Sequence, residues 1–114
     1  MKFSLAKEFE YTPAWEGNRK NPEPIVFTLR YLNSIERDEI ISPGVNESGK
    51  VSIKPNYVKA FKNGVIKISR LNVNDSDVVN ADEFLKLGGF YELFLEVAGK
   101  ILVSSAADDP KNLQ

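Results

Sequence analysis

The residue types that this chain lacks limit its chemistry more than those it contains. Its 114 residues include no histidine and no cysteine. The commonest general base, the commonest metal ligand and the thiol nucleophile are therefore absent. These absences exclude a zinc enzyme, a Ser-His-Asp hydrolase and a thiol enzyme. Carboxylate, lysine or tyrosine chemistry remains open, as does no chemistry at all.

Two acidic stretches are candidate sites. Residues 72–83 align with a calcium-binding EF-hand loop, but the sixth position, which needs glycine, is Asp77. A turn followed by a helix cap explains the same residues. Glu36, Asp38 and Glu39 fall on a short helix, where a solvated face is the ordinary explanation. We therefore predict no catalytic site, no metal site and no cofactor, and expect a non-enzymatic protein.

Basic side chains cluster in the middle third of the chain, with aromatic side chains among them. They run from Lys50 to Arg70, and Tyr57 and Phe61 lie between them. Interleaved basic and aromatic residues can bind single-stranded nucleic acid by charge and stacking. Tyr57 and Phe61 are four residues apart, however, and fit the inward face of a helix. We therefore favour a solvated basic face over a nucleic-acid site.

The first third of the chain predicts two strands separated by a loop. Apolar side chains alternate over the first twelve residues, which predicts a strand or an extended hairpin arm. Three prolines between residues 12 and 24 bar regular structure there. Residues 25–32 alternate again and predict the clearest strand of the chain. The apolar positions of the first strand are Phe3, Leu5, Phe9 and Tyr11.

Helix signals begin after the second strand. Asn33 and Glu36 form a capping-box pattern that begins a helix. This helix runs through Ile40 or Ile41, and Pro43-Gly44 ends it. A polar loop over 42–49 and a brief strand over 51–53 follow. A second helix is predicted over 56–62, with Tyr57, Val58 and Phe61 pointing inward.

A strand predicted over residues 65–73 contains a change of parity. Ile66 and Ile68 share one face, whereas the later apolar residues fall on the other, so we expect a bulge near Ser69-Arg70. The remaining elements are a helix over 80–87 capped by Asn80 with Glu83, a Gly88-Gly89 hinge and a helix over 90–105.

The order of the elements, strands first and helices last, indicates an α+β fold. We predict a small antiparallel sheet from the N-terminal two-thirds, packed with C-terminal helices. This single domain spans residues 1–106, and a flexible tail follows over 107–114. The apolar content of 42% and the charged content of 27% are ordinary for a globular domain.

The last helix is the most informative feature of the sequence. Only Glu92, Glu96 and Lys100 form a polar line, and Glu96 is placed to pair with Lys100. A surface helix normally has a narrow apolar stripe, so most of this helix must be covered, either inside the domain or by a partner or second copy. Trp15, in the proline-rich loop, is either a loop anchor or a contact residue. The predicted protein-binding residues are Trp15, Phe90, Phe94, Val97, Ile101 and Leu102.

Several short segments, taken in order, carry a resemblance to a known family. They are Phe9-Glu10-Tyr11, Pro13 to Asn18, Tyr31-Leu32, Ser34-Ile35-Glu36-Arg37, Gly64 to Val73, Glu92-Leu93, Glu96-Val97 and Lys111-Asn112. With these segments the chain resembles small tail-assembly-chaperone-like proteins of long-tailed phages and prophages. The resemblance implies a protein that shields the tape-measure protein, or binds tail-tube subunits, while the tail assembles in the host bacterial cytoplasm.

Three hypotheses for function follow. The first is a non-enzymatic chaperone or adaptor that binds tape-measure or tail-tube protein through its apolar C-terminal helix. The alternatives are a structural component of the phage tail and a small regulatory or nucleic-acid-binding module. We expect a protein partner or self-association, and no membrane. The first eight residues lack the apolar run of a signal peptide, so we expect a cytoplasmic protein.

Overall fold

The computed structural model describes residues 1–5, 7–41, 44–45, 51–52 and 55–105. The strands in these ranges are β1 (Glu8–Tyr11), β2 (Val26–Arg30), β3 (Gly44–Val45), β4 (Val51–Ser52), β5 (Val65–Ser69), β6 (Asn72–Val73) and β7 (Ser76–Asp77). The helices are α1 (Ser34–Ile41), α2 (Tyr57–Gly64), α3 (Ala81–Leu85) and α4 (Tyr91–Ser105), and a 3₁₀ helix spans Trp15–Lys20. The α+β class predicted from sequence is confirmed.

The main sheet is antiparallel and has the strand order β1-β2-β5. Phe9 and Tyr11 of β1 lie opposite Leu29 and Phe27 of β2, on the face that meets the helices. Phe27 and Leu29 are fully buried because β2 is the central strand. Two smaller hairpins, β3-β4 and β6-β7, lie outside this sheet.

The main sheet contains a bulge at Ile66. Thr28 pairs with Lys67, but the next residue, Leu29, pairs with Val65. Ile66 is therefore an extra residue in β5, and it is 45% exposed while Val65 is buried. The prediction that Ile66 and Ile68 share one face is wrong for this reason, since Ile68 is buried.

The predicted break near Ser69-Arg70 lies where β5 ends. Arg70 has a positive φ of 63°, so the chain turns out of the sheet there rather than bulging within it. Asn74 and Asp75 also have positive φ and form the two-residue turn of the β6-β7 hairpin. The acidic stretch that aligns with a calcium loop is thus used in a hairpin and in the start of α3.

Local capping begins the helices as predicted. The Glu36 backbone N–H donates to Asn33 Oδ1 at 2.8 Å, and the Asn33 N–H donates to Glu36 Oε1 at 3.1 Å. Hydrogen bonds from the Arg30 guanidinium hold the pKa of the Glu36 carboxyl below its usual range. At α3, the Glu83 N–H donates to Asn80 Oδ1 at 2.8 Å.

The core lies between the main sheet and helices α2, α3 and α4. Phe27, Phe61 and Phe84 pack against one another with ring centroids 4.9 to 6.1 Å apart. Helix α4 supplies much of the remainder, so its apolar surface is covered largely inside the domain. Its buried residues are Leu93, Phe94, Val97, Ala98, Ile101 and Leu102.

Helix α2 turns a different set of residues inward from the predicted one. Ala60 and Phe61 are fully buried, whereas Val58 is 48% exposed and Tyr57 is half-buried. The prediction that Val58 points inward is therefore wrong. The predicted tail over 107–114 lies outside the described residues, as does much of the predicted loop over 42–49.

Gly64, the last residue of α2, lets that helix approach α4 closely. A Cβ atom at this position would stand 2.6 Å from Cγ2 of the buried Ile101 side chain. We predict that Gly64→Ala lowers the free energy of unfolding by about 1–3 kcal/mol, because the added methyl group would clash with Ile101 and force the two helices apart. Chemical denaturation of the variant measures the change.

Gly99→Ala provides the control, since nothing lies within 4 Å of a Cβ atom there. In the middle of α4 this change should raise the stability by about 0.5–1 kcal/mol. Combining Gly64→Ala with Ile101→Ala should cost less than the sum of the two single changes. Strict additivity would contradict a steric contact between the two positions.

Candidate functional site

Exposed apolar side chains gather where α3 ends and α4 begins. A groove of about 370 Å³ lies there, between these two helices and α2. Gly88 and Gly89 form its lip, and Gly89 has a φ of 88°, a conformation that side chains disfavour. The apolar residues lining it are Val58, Phe84, Leu85, Leu87, Phe90, Tyr91 and Phe94.

The base and the rim of this groove differ in exposure. Phe84 and Phe94 are buried and belong to both the groove and the core. At the rim, Tyr91 is 68% exposed although its ring packs on Phe94, with centroids 5.8 Å apart. Val58, on α2, also lines the groove and is 48% exposed. The base of the groove is therefore part of the core, and its rim offers exposed aromatic and aliphatic surface.

Two of the predicted protein-binding residues, Phe90 and Phe94, line this groove. Trp15 lies behind them, with its ring centroid 5.5 Å from that of Phe90. Trp15 is half-buried, which fits the anchor that its loop position also allows. Tyr91 and Val58 are not among the predicted binding residues; the sequence indicates only that both are apolar, not that they remain exposed.

The other three predicted binding residues lie in the core. Val97 and Ile101 are fully buried, and Leu102 is 7% exposed. A side chain in this position cannot contact a partner unless the domain opens. The expectation that these residues form a contact surface is corrected accordingly, because α2, β2 and the 3₁₀ helix already pack against α4.

Glu96, on the polar line of α4, holds the proline-rich loop against the helix. Its carboxylate accepts hydrogen bonds from the Tyr11 hydroxyl at 2.6 Å, the Ala14 N–H at 2.7 Å and the Trp15 N–H at 3.1 Å. A carboxylate at the first turn of the 3₁₀ helix satisfies N–H groups that the helix itself leaves free. Lys100 does not pair with Glu96; it lies over the Tyr11 ring, 5.6 Å from its centroid.

The Tyr11 hydroxyl is strongly biased toward its protonated form. Burial raises the pKa of Tyr11 to about 12, and the hydrogen bond to the Glu96 carboxylate acts in the same direction. Arg19, whose guanidinium lies 5.8 Å from the ring centroid, opposes these effects. Tyr11 therefore acts here as a hydrogen-bond donor, which is a structural rather than a basic role.

Asn18 is buried and closes the same loop. Its Nδ2 donates to the carbonyls of Pro13 and Ile25 at 2.9 and 3.0 Å, and its Oδ1 accepts from the Ile25 N–H at 2.8 Å. The last residue pair of the β1–β2 ladder is Tyr11 with Phe27. Two residues before Phe27, the Asn18 side-chain amide bonds the backbone of Ile25 in place of a further strand residue. This contact fixes where the loop leaves the sheet.

The remaining candidate sites are occupied by structural contacts. Phe61, a candidate for nucleic-acid stacking, is fully buried and stacks on Phe84. Lys59, from the basic cluster, forms an ion pair with Glu39 at 2.7 Å. Over the described ranges, no group of three or more acidic side chains is close enough together to hold a metal ion.

Comparison with protein families, with curated proteins and with solved structures finds no match for this chain. Within the described part of the chain, no helix has both the length and the apolar character needed to cross a membrane.

The Tyr11–Glu96 contact predicts a stability loss in alkali. The folded protein keeps the Tyr11 proton up to a pH of about 12, whereas the unfolded chain releases it near the ordinary value of 10.0. The folded state therefore binds more protons across this interval, and the free energy of unfolding must fall as the pH rises through it. Denaturant unfolding of the protein and of Tyr11→Phe at a series of pH values measures this effect.

The Tyr11→Phe variant should lose stability at neutral pH and show a shallower decline between pH 10 and about 12. Parallel declines in the two proteins would show that Tyr11 is not responsible.

Proposed function

We propose that this chain is a non-enzymatic phage tail-assembly protein that binds a helical segment of another protein in the groove between α2, α3 and α4. The observation that carries the proposal is the exposed apolar rim of that groove. Tyr91 and Val58 stay largely exposed beside a preformed apolar base. Preformed grooves with an aromatic rim are typical of protein-binding sites, where tyrosine often provides much of the binding energy.

The shape and charge of the groove favour an amphipathic helix as the bound segment. Such helices place apolar residues three or four positions apart into a groove. Lys62 follows Val58 by one helical turn, and Lys86 lies between two groove residues, Leu85 and Leu87. Both lysines are exposed. A partner helix with acidic residues beside its apolar face would match these charges.

The resemblance to tail-assembly chaperones supports the choice of partner. It points to the tape-measure protein or the tail-tube protein in the host bacterial cytoplasm. A stoichiometric binder of such segments needs exposed apolar surface and no reactive groups, and the groove provides that surface. A structural component of the tail could use the same groove, so the two hypotheses share a binding site and differ in whether the protein stays in the virion.

We predict that Tyr91→Asp weakens binding to a recombinant tape-measure segment by about 2 kcal/mol, or roughly thirtyfold. Isothermal titration measures the affinity, with the tail-tube protein as a second probe. The fold should persist because Tyr91 is exposed and is the first residue of α4, where an acidic side chain suits the helix dipole. Circular dichroism checks this.

Ile35→Asp is the matched control, since Ile35 is also exposed in the first turn of a helix, α1, but lies away from the groove. Equal binding by the Tyr91 and Ile35 variants would contradict a groove-mediated contact. Mass spectrometry of purified virions separates the two hypotheses: a chaperone is absent and a tail component is present.

A further inference from the structure

We propose that the edge of β1 that faces away from β2 is a second docking site, which binds an extended segment of a partner protein with basic residues at alternate positions. The proposal goes beyond the groove, because β1 lies at the edge of the main sheet and none of its residues lines the groove.

The two edges of the main sheet differ in the described part of the chain. β5 is partly covered, because the Ile68 N–H donates to the Val79 carbonyl at 3.0 Å. β1 pairs with β2 on one side, and none of the described strands pairs with its other side. An open strand edge presents unpaired N–H and C=O groups that can form a ladder with an added strand.

The strand register identifies which backbone groups face outward. The Ile68 N–H points away from β2, to Val79, so Ile68 and Phe27 form a pair without hydrogen bonds between them. Phe27 must then direct its N–H and C=O to the other side, toward Tyr11 of β1. Alternation then directs the N–H and C=O of Glu10 to the edge that faces away from β2. Asn18 supports this assignment, because it bonds Ile25, two residues before Phe27, on that same side.

The same alternation directs the backbone groups of Glu8 outward. Glu8 and Glu10 thus combine free backbone groups with acidic side chains on the solvent-facing side of the sheet. Both side chains are exposed, and neither forms an ion pair in the described structure. In an antiparallel ladder, a residue directly opposite Glu10 shares its face of the sheet.

Charge favours a basic partner over a second copy of the chain. A two-fold axis perpendicular to the sheet pairs residues of equal parity, so glutamates of two β1 strands would face glutamates. Like charges directly opposite one another destabilise a strand pair, whereas lysine or arginine opposite Glu8 and Glu10 stabilises it.

Two exposed apolar residues precede β1 in the sequence. Phe3 and Leu5 are 64% and 65% exposed, and they share the odd parity of Phe9 and Tyr11. A segment that alternates basic and apolar residues would place its basic side chains beside Glu8 and Glu10 and its apolar side chains on the opposite face. This alternation is the chemistry by which the partner is recognised.

The test uses a synthetic peptide of about six residues that alternates lysine and valine, with an alternating glutamate-valine peptide as its counterpart. Hydrogen exchange followed by NMR should show new protection at the Glu8 and Glu10 amides when the lysine peptide is added. The acidic peptide should give none. Equal protection by both peptides, or none by either, would overturn the proposal and leave the two glutamates as guards against edge-to-edge aggregation.

Two variants sharpen the result. Glu10→Pro removes an outward N–H for which the described part of the chain provides no acceptor, so the fold should persist while the lysine peptide is no longer bound. Glu8→Lys combined with Glu10→Lys should weaken peptide binding roughly tenfold or more, whereas the exposed loop variant Glu23→Lys should leave it unchanged. Loss of binding with Glu23→Lys as well would show a non-specific charge effect and overturn the proposal.

The two docking sites can be separated with the same proteins. Tyr91→Asp should not change the protection at Glu8 and Glu10, and Glu10→Pro should not change affinity for the groove partner. Binding at either site can therefore be lost while binding at the other is kept. A coordinated loss at both would contradict two independent sites.

Discussion

The apolar surface of α4 is the constraint on which the rest of the structure depends. Six of its fifteen residues are buried, and each fully buried aliphatic or aromatic side chain contributes about 1.5–3 kcal/mol. One neighbour cannot cover so wide a surface. Helix α2 covers one side through the close approach at Gly64, β2 another, and the 3₁₀ helix a third. The long proline-rich loop is thereby held against the helix by Glu96, which satisfies two backbone N–H groups of that loop.

This arrangement also determines where an interaction surface remains. Most apolar residues in the middle and at the end of α4 are taken up by the core, although Val103 is 74% exposed. The apolar surface of α4 that lines the groove lies at its start, beside the Gly88-Gly89 turn. The short α3 leaves Tyr91 exposed, and Val58 is left exposed on α2. The groove is thus a consequence of how α4 is packed. At the edge of the three-stranded sheet, none of the described strands pairs with the outer side of β1, where the outward backbone groups are those of Glu8 and Glu10.

Features encoded by neighbouring residues could be predicted from the sequence, whereas long-range contacts could not. The capping pair of Asn33 with Glu36 involves residues three apart, and alternation locates β2 to within two residues. The spacing of Glu96 and Lys100 predicts an ion pair within α4. Glu96 instead bonds partners that lie more than 80 residues away in the sequence, which local spacing cannot reveal. The bulge at Ile66 is set by pairing with β2, which parity within one strand cannot reveal. The composition of α4 indicates that it must be covered, but not which elements cover it, and the groove could not be predicted for the same reason.

Native-state hydrogen exchange of the α4 amides tests the central claim, that α4 is an internal helix and that its start, at the groove, is the part that binds a partner. The amides from Phe94, whose N–H is the first to bond across the start of the helix, to Leu102 should exchange only through global unfolding, with the same opening free energy as the hydrogen-bonded amides of β2. Their exchange should therefore respond to denaturant as steeply as global unfolding does. If these amides instead exchanged through a lower-energy opening while β2 stayed protected, α4 would be a detachable helix. Its whole apolar face could then bind a partner, which would contradict a binding surface restricted to the start of the helix.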